Sequence, residues 1–139
     1  MACYIRKDIS YNIREHFSED FENVFLDILL PKTKPILIGV VYRPPDQMNF
    51  LQHFSDAINN THSFDSQEIY ILGDLNIDMI RKPPLNKVHK EFCSLHGLVQ
   101  IIDSPTRITK DTSTLIDHIL TNSIKQISQE VSKLCEEYY

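Results

Sequence analysis

Glu68-Ile-Tyr-Ile-Leu-Gly-Asp74-Leu-Asn76 is the stretch of this sequence that decides the fold. Its apolar first half predicts a buried strand, and its second half places an acid and an amide two residues apart. Because side chains alternate along an extended chain, Asp74 and Asn76 are expected to point to one side where the strand ends. Such a pair suits hydrolysis, since aspartate can bind a metal and an amide can donate to a phosphate oxygen. The same Gly-Asp-x-Asn string is also ordinary turn chemistry.

The composition describes one globular domain. The chain has 139 residues, of which 42% are hydrophobic, and only three glycines, which excludes fibrous and low-complexity classes. The net charge of −5 argues against binding nucleic acid through bulk positive charge, although an acidic cluster that recruits Mg²⁺ can create a local phosphate site. The first residues carry charges where a signal peptide needs an apolar segment. We therefore expect an intracellular protein of the cytoplasm or nucleus, not secreted and without a membrane span.

The cysteines and histidines show no spacing typical of metal ligands. Cys3, Cys93 and Cys135 are far apart in the sequence, so we expect reduced thiols. Cys93 and His96 lie three residues apart on a predicted helix, but two ligands do not make a zinc site. A buried thiol beside a helix-end histidine is the favoured interpretation. We assign no role to the histidines that precede residue 100.

Strands and helices are expected to alternate along the chain. Strands are predicted at Met1 to Arg6, Asn23 to Leu30, Pro35 to Tyr42, Glu68 to Leu72, Leu98 to Asp103 and Leu115 to Thr121. Helices are predicted at Phe50 to Asn59 and at Asn86 to Leu95. The strand at 35–42 is apolar on both faces, which indicates a central strand covered on both sides. The pattern predicts an α/β or α+β sheet packed with helices.

Two helical segments carry further expectations. The apolar stripe of the helix at 86–95 is expected to consist of Val88, Phe92 and Leu95. From Ser123 to Tyr139, apolar residues recur at spacings of three and four, which predicts an amphipathic helix. We therefore divide the chain into a domain at 1–122 and a divergent helical tail at 123–139.

Polar residues stand at three places where strands would end or be buried. These are Tyr42-Arg43, Asp74 with Asn76, and Asp117-His118. A phosphoryl-transfer site needs a phosphate donor, a carboxylate near metal or water, and an amide or imidazole that stabilises charge on the oxygens. All three types are present. Each place alone is explained equally well by a strand-end aromatic, a solvated charge or a satisfied polar pair. The functional interpretation therefore depends on the order of the three places along the chain.

That order resembles the endonuclease/exonuclease/phosphatase superfamily. The motifs are Ile-Gly-Val-Val-Tyr42-Arg-Pro-Pro, Ile-Leu-Gly-Asp74-Leu-Asn76-Ile-Asp, Ser104-Pro-Thr-Arg-Ile-Thr and Leu-Ile-Asp117-His118-Ile-Leu-Thr-Asn. More narrowly, they look like the apurinic-endonuclease-like domain of non-LTR, LINE-type retrotransposons, from Ala2 to about Gln129. The resemblance implies part of a four-layer α/β sandwich, with Mg²⁺ as cofactor and DNA as partner. It also implies hydrolysis of a phosphodiester by in-line attack of water.

The resemblance implies a catalytic role for four residues. Asp74 resembles the aspartate that orients or deprotonates the attacking water near the metal. Asn76 resembles the amide that stabilises the phosphate, and both are candidate near-metal ligands. Tyr42 resembles the tyrosine that donates to the phosphate. Asp117 matches the aspartate that orients a catalytic histidine, whereas His118 merely follows it and is not that histidine.

Three further residues are candidates for contact with the nucleic-acid backbone. Arg43, Arg107 and Thr109 carry guanidinium or hydroxyl donors, which phosphate binding favours. Exposed loop residues of these types are an equally good account of them.

The sequence departs from the family pattern at both ends. The family has an asparagine and then a Mg²⁺-binding glutamate before the strand with which this chain opens, and neither has a counterpart here. It also has a Ser-Asp-His motif after the strand that holds Asp117, where this chain has the unrelated segment 131–139. We therefore expect a sandwich with an uncovered apolar face and negligible hydrolysis by this chain alone. The alternatives are a non-catalytic remnant or binding module, or a phosphatase or phosphodiesterase of another branch of the superfamily.

Overall fold

The computed structural model describes residues 2–15, 17–61, 64, 67–80 and 84–124. The strands are β1 (Ser10–Arg14), β2 (Glu22–Leu29), β3 (Ile36–Tyr42), β4 (Glu68–Asp74), β5 (Val99–Gln100), β6 (Arg107–Ile108), β7 (Ser113–Thr114) and β8 (Asp117–Thr121). The helices are α1 (Phe50–Asn59) and α2 (Leu85–Leu95). Six strands form one mixed sheet in the order β1-β2-β3-β4-β8-β5, and β6 and β7 form a separate hairpin. The predicted α+β arrangement, a sheet packed with helices, is confirmed.

Most predicted elements lie where the sequence placed them. The helix at 50–59 has the predicted bounds, and the strands that became β2, β3, β4 and β8 begin and end within about two residues of their predicted limits. β3 and β4 are parallel neighbours joined through α1, whereas the other pairings in the sheet are antiparallel. The predicted tail lies almost wholly outside the described residues, which end at Ile124.

The strand predicted at Met1 to Arg6 is wrong. Residues 2–6 belong to no strand, and the sheet begins at β1. The alternation of apolar and polar residues is not enough, because a strand forms only where a neighbour accepts its backbone hydrogen bonds. Here the segment ends in a turn, in which Ile9 N donates to Arg6 O at 3.0 Å and the Arg6 guanidinium pairs with Asp8.

Both helices cover the same face of the sheet. From the sheet, Phe25, Leu37, Val41, Ile69, Ile71 and Leu120 are buried against Phe50, Phe54 and Phe92 of the helices in one hydrophobic core. Gly39 of β3 makes room for an aromatic ring, because a Cβ there would lie 2.4 Å from the ring of Phe25. Neighbouring Phe17 stacks on the same ring with centroids 3.7 Å apart.

The second helix buries a different stripe from the predicted one. Its buried residues are Asn86, His89, Phe92 and Cys93. Val88 and Leu95 are 46% and 73% exposed and line an open groove between α1 and α2. Apolar periodicity therefore misassigned the face, because two buried polar side chains occupy positions that a pattern of apolar residues cannot identify.

The opposite face of the sheet is apolar but less completely covered. In β3, Leu37 and Val41 point to the helices and are buried, whereas Ile38 and Val40 point away and are half-buried. The prediction that this strand is covered on both sides is therefore correct for one side only. Ile13 of β1 lies on the same open face and is 61% exposed.

No helix in the described ranges is long and apolar enough to cross a membrane. Cys3 is an exposed free thiol and Cys93 a buried one, whereas Cys135 lies outside the described residues. His96, at the end of α2, bonds Ser55 Oγ at 2.8 Å, so the histidine beside the buried thiol is His89.

A partly buried ion pair holds the edge strand β1 to β2. Arg14 donates from Nε and Nη2 to the two carboxylate oxygens of Asp27 at 2.9 and 2.8 Å, and Gln67 Nε2 donates to the same carboxylate at 3.0 Å. Burial opposes ionisation of Asp27, but the hydrogen bonds and the charge of Arg14 outweigh it, so its pKa lies below the ordinary value. Ionised Asp27 therefore stabilises the folded state.

We expect Asp27→Asn to destabilise the fold by about 1–2 kcal/mol at pH 7, because a charge-assisted pair is lost. The folded-state pKa is lowered, so this stabilisation is complete above the unfolded pKa of about 4 and is lost as the pH falls through the lower folded value. Urea unfolding of both proteins between pH 7 and pH 2.5 should show the two stabilities converging below about pH 4. A difference that is constant with pH would contradict the assignment.

Gly73 is required where β3 and β4 approach each other. A Cβ at this position would lie 1.7 Å from the carbonyl oxygen of Val41, which is backbone and cannot move aside alone. We expect Gly73→Ala to lower the free energy of unfolding by about 2–4 kcal/mol. Gly97→Ala is the matched control, since φ is +62° there but an added Cβ meets nothing within 4 Å. It should cost only about 1 kcal/mol in the same urea titration, and equal losses at the two positions would refute the steric argument.

Candidate active site

Three of the predicted residues, Tyr42, Asp74 and Asp117, lie side by side on three adjacent strands. Asp74 of β4 is paired directly with Asp117 of β8. On the other side Val40 is opposite Leu72, and Arg43 N donates to Asp74 O at 3.0 Å, which places Tyr42 beside Asp74. Residues opposite each other in a sheet share a face, so the three side chains project from the open face.

Asn76 reaches the same place by a turn. The strand ends at Asp74, so the alternation expected from the sequence does not extend to Asn76. Instead Asn76 has φ +48°, a conformation that asparagine tolerates, and its N–H donates to Asp74 Oδ1 at 2.9 Å. Its Nδ2 donates one hydrogen to Arg43 O at 2.8 Å, which leaves the second for a ligand. Residues 73–76 therefore form a turn, and the same turn brings Asn76 next to Asp74.

The loop after Asp74 is anchored on both sides. Leu75 and Ile77 are 1% and 0% exposed and belong to the hydrophobic core. Leu75 N donates to Ile116 O at 3.0 Å and Met79 N to Leu115 O at 3.1 Å, which ties the loop to the start of β8. The polar side chains of 74 and 76 are thus carried on a rigid support.

Arg43 is a structural residue of this loop. It is 2% exposed, and its guanidinium donates to four backbone carbonyls. These belong to Gln47 at 3.1 Å, Pro45 at 3.3 Å, Leu75 at 3.2 Å and Asn76 at 3.4 Å. Contrary to its prediction as a contact to the nucleic-acid backbone, Arg43 is not placed to reach a phosphate.

The other two predicted contact residues lie on the β6–β7 hairpin. Arg107 is exposed, and Thr109 Oγ1 is engaged within the turn, 2.7 Å from Thr112 Oγ1. Thr106 Oγ1 accepts hydrogen bonds from the N–H groups of Ile116 and Asp117 at 3.2 and 3.1 Å. The hairpin is therefore attached beside the candidate site, and Arg107 is the better placed of the two for an external ligand.

His118 has a structural place that the sequence did not reveal. It follows Asp117 in β8 and so points to the opposite face, where it is 2% exposed and its Nε2 lies 2.9 Å from Ile77 O. The ring of His89 packs against it with centroids 4.7 Å apart. The available signal was the alternation of β8, which puts His118 on the same face as the buried Leu120.

Three oxygen-bearing side chains meet at the end of β4. The carboxylates of Asp74 and Asp117 and the amide of Asn76 are the oxygen donors that Mg²⁺ prefers. The two carboxylates are direct neighbours on β4 and β8 and lie on the same face of the sheet. Like charges in that arrangement repel unless a cation or proton intervenes. Within the described ranges, however, no three His, Cys, Asp or Glu side chains are grouped so as to hold a metal. Asp74 and Asn76 fit the edge of such a site and do not complete it.

No protein-family model matches the sequence, and no curated protein sequence matches it. Solved structures do match. The endonuclease domain of TRAS1, a telomere-specific non-LTR retrotransposon, has a TM-score of 0.69 at 13% identity, covering 85% of this chain and 57% of that domain. The human Nocturnin catalytic domain has a TM-score of 0.54 at 12% identity, covering 81% of this chain and 48% of that domain.

A mannosyl-6-phosphatase of Bacteroides thetaiotaomicron also matches, with a TM-score of 0.50 at 11% identity, over 85% of this chain and 52% of the phosphatase. The chain thus spans about half the length of the structures it matches. Similarity at such low identity establishes the fold, and the motifs had pointed to the same fold independently. This chain therefore has the fold of the endonuclease/exonuclease/phosphatase superfamily, in the form also found in a retrotransposon endonuclease domain.

Proposed function

We propose that this chain is part of a Mg²⁺-dependent DNA endonuclease of the retrotransposon type, which hydrolyses a phosphodiester bond. The observation that carries the proposal is the alignment of Tyr42, Asp74 and Asp117 on one face of the sheet, with Asn76 in the adjoining turn. The fold shared with the TRAS1 endonuclease domain supports the DNA branch of the superfamily.

Each residue has a role that its chemistry allows. Asp74 accepts a proton from the attacking water or orients it, and the Tyr42 hydroxyl and the remaining Asn76 N–H donate to phosphate oxygens as charge builds there. Asp117 stands beside Asp74, where it can orient an imidazole. A bound Mg²⁺ would supply Lewis acidity and a more acidic water, with Asp74 and Asn76 among the groups that hold it.

The overall charge requires that DNA be held locally. The chain carries a net charge of −5, so attraction to phosphate has to come from particular side chains. Arg107 and Lys110 are exposed on the β6–β7 hairpin, which Thr106 attaches to the backbone at Asp117. We propose this hairpin as the element that contacts the DNA backbone.

A second candidate is a module that binds phosphate-containing ligands without turnover. The incomplete grouping of metal ligands in the described part of the chain favours it. A phosphatase or phosphodiesterase of another branch is the third candidate, and the fold shared with a mannosyl-6-phosphatase is its support.

We expect the 139-residue chain to hydrolyse supercoiled plasmid, a phosphoinositide and a small phosphodiester only at background rates in Mg²⁺. Absence of a general acid or base alone costs about 10²- to 10⁴-fold in rate, and the described ligands do not complete a metal site. The assay follows nicked plasmid and released phosphate over time. Mg²⁺-dependent nicking that disappears in Asp74→Ala would refute this expectation, and turnover of the phosphoinositide alone would favour the phosphatase branch.

DNA binding tests the proposed substrate. Binding to a labelled duplex should weaken linearly on a plot of log K against log salt concentration. Arg107→Ala should reduce that slope by about 1. The control is Lys87→Ala, since Lys87 is also exposed but lies on α2, on the helix side of the sheet. Binding that is absent, or that falls equally in both variants, would overturn the DNA assignment.

The paired carboxylates provide a test of metal binding. Asp117→Asn should stabilise the fold by about 0.2–1 kcal/mol without Mg²⁺, because it removes like-charge repulsion opposite Asp74. Added Mg²⁺ should stabilise the unmodified protein more than this variant in thermal unfolding. Asp111→Asn, a change at an exposed carboxylate of the hairpin, serves as the control and should behave like the unmodified protein. An equal response to Mg²⁺ in all three proteins would show that the pair binds no metal.

A further inference from the structure

Two buried histidines behind the candidate site each use only one ring nitrogen. His118 of β8 and His89 of α2 are 2% and 0% exposed, and their rings meet edge to face. His118 Nε2 contacts Ile77 O at 2.9 Å, and His89 Nε2 contacts Cys93 Sγ at 3.6 Å. The Nδ1 atom of each ring is buried and has no partner in the described part of the chain. Unpaired buried nitrogens are uncommon and call for an explanation.

The outer partners determine where each proton lies. A carbonyl oxygen only accepts, so His118 carries its hydrogen on Nε2 and presents a lone pair at Nδ1. Burial raises the pKa of the Cys93 thiol to about 11, so the thiol keeps its proton and can donate it to His89 Nε2. When the thiol is the donor, His89 carries its own hydrogen on Nδ1. Burial lowers the pKa of His89 to about 3, so that ring is neutral.

The two unpaired nitrogens are therefore complementary, one a donor and the other an acceptor. The rings are in edge-to-face contact with their centroids 4.7 Å apart, so one ring would have to rotate to bring the two Nδ1 atoms into a hydrogen bond. We propose that Cys93, His89 and His118 form a directed chain of hydrogen bonds ending on Ile77 O. We further propose that His118 is thereby a positioning residue for the loop that carries Asp74 and Asn76.

The loop itself shows why its carbonyls need such support. Three consecutive carbonyls are turned towards buried donors: Arg43 Nη1 bonds Leu75 O and Asn76 O, and His118 bonds Ile77 O. Arg43 holds the loop from the side of β3 and His118 from the side of β8. With its backbone fixed from both sides, the loop presents its functional side chains on the open face. The positioning role rests on the proposed function, whereas the hydrogen-bond chain does not.

Imidazole ¹⁵N NMR on the full chain tests the hydrogen-bond chain without any substrate. We expect the Nε2–H tautomer for His118 and the Nδ1–H tautomer for His89. Cys93→Ala removes the first donor and should convert His89 to a mixture of tautomers. An Nε2–H tautomer at His89 in the unmodified protein would overturn the proposed direction of the chain.

Two substitutions at His118 test the positioning role. Gln retains a terminal N–H donor at the same reach, and Phe retains the ring volume without a donor. His118→Phe should speed hydrogen exchange at the Leu75 and Met79 amides by about tenfold relative to the amides of α1, and His118→Gln should restore most of the protection. Hydrogen exchange that speeds up equally throughout the protein in both variants would show that His118 only fills space in the core. If His118→Phe does not fold, the Gln variant decides: a selective loss of protection at the loop despite the retained donor would also refute the proposal.

These readouts separate the two proposals. Failure to bind DNA would refute the proposed function and leave the tautomers and the loop protection unchanged. Failure of the tautomer assignment would leave the alignment of Tyr42, Asp74 and Asp117 intact.

Discussion

The rest of the structure depends on the parallel pairing of β3 with β4. Parallel neighbours cannot be joined by a tight turn, so the chain crosses over through α1, and this crossover sets the helix layer on one face. The pairing continues past the end of β3, where Arg43 N donates to the carbonyl oxygen of Asp74, the last residue of β4. Only a residue without a side chain fits at Gly73, beside the carbonyl of Val41. That close contact brings Tyr42 and Asp74 to the same level of the sheet.

The two faces of the sheet carry different kinds of residue. The helix face carries the hydrophobic core together with Arg43, His89 and His118, polar side chains that are buried and directed at backbone or at each other. The open face carries Tyr42, Asp74 and Asp117. The buried guanidinium of Arg43 is tolerated because four carbonyl dipoles and the negative charge of Asp46 compensate its charge. The support of the site is therefore built from the side that a substrate does not reach.

Apolar periodicity and residue type predict the elements that depend on local sequence. The helix at 50–59 and the strands on either side of it followed from apolar spacing, and the tetrad at 73–76 followed from its residue types. The predictions are wrong where the structure of a segment depends on the residues that pack or pair with it. Residues 2–6 alternate like a strand but pair with no strand among the described residues, and Val88 of α2 points outward because buried His89 occupies the face that packs on the sheet.

The candidate site divides in the same way. The sequence by itself determined that Tyr42, Asp74, Asn76 and Asp117 stand at or near strands in an order that resembles the family, because strands and turn residues are local properties of the chain. Only the tertiary structure decided that Arg43 is buried beneath the loop, that Arg107 remains exposed on a hairpin, and that His118 points away from Asp117. The physical reason is that burial and hydrogen-bond partners come from residues distant in sequence: Arg43 bonds carbonyls more than thirty positions away, and His118 bonds one forty-one positions away.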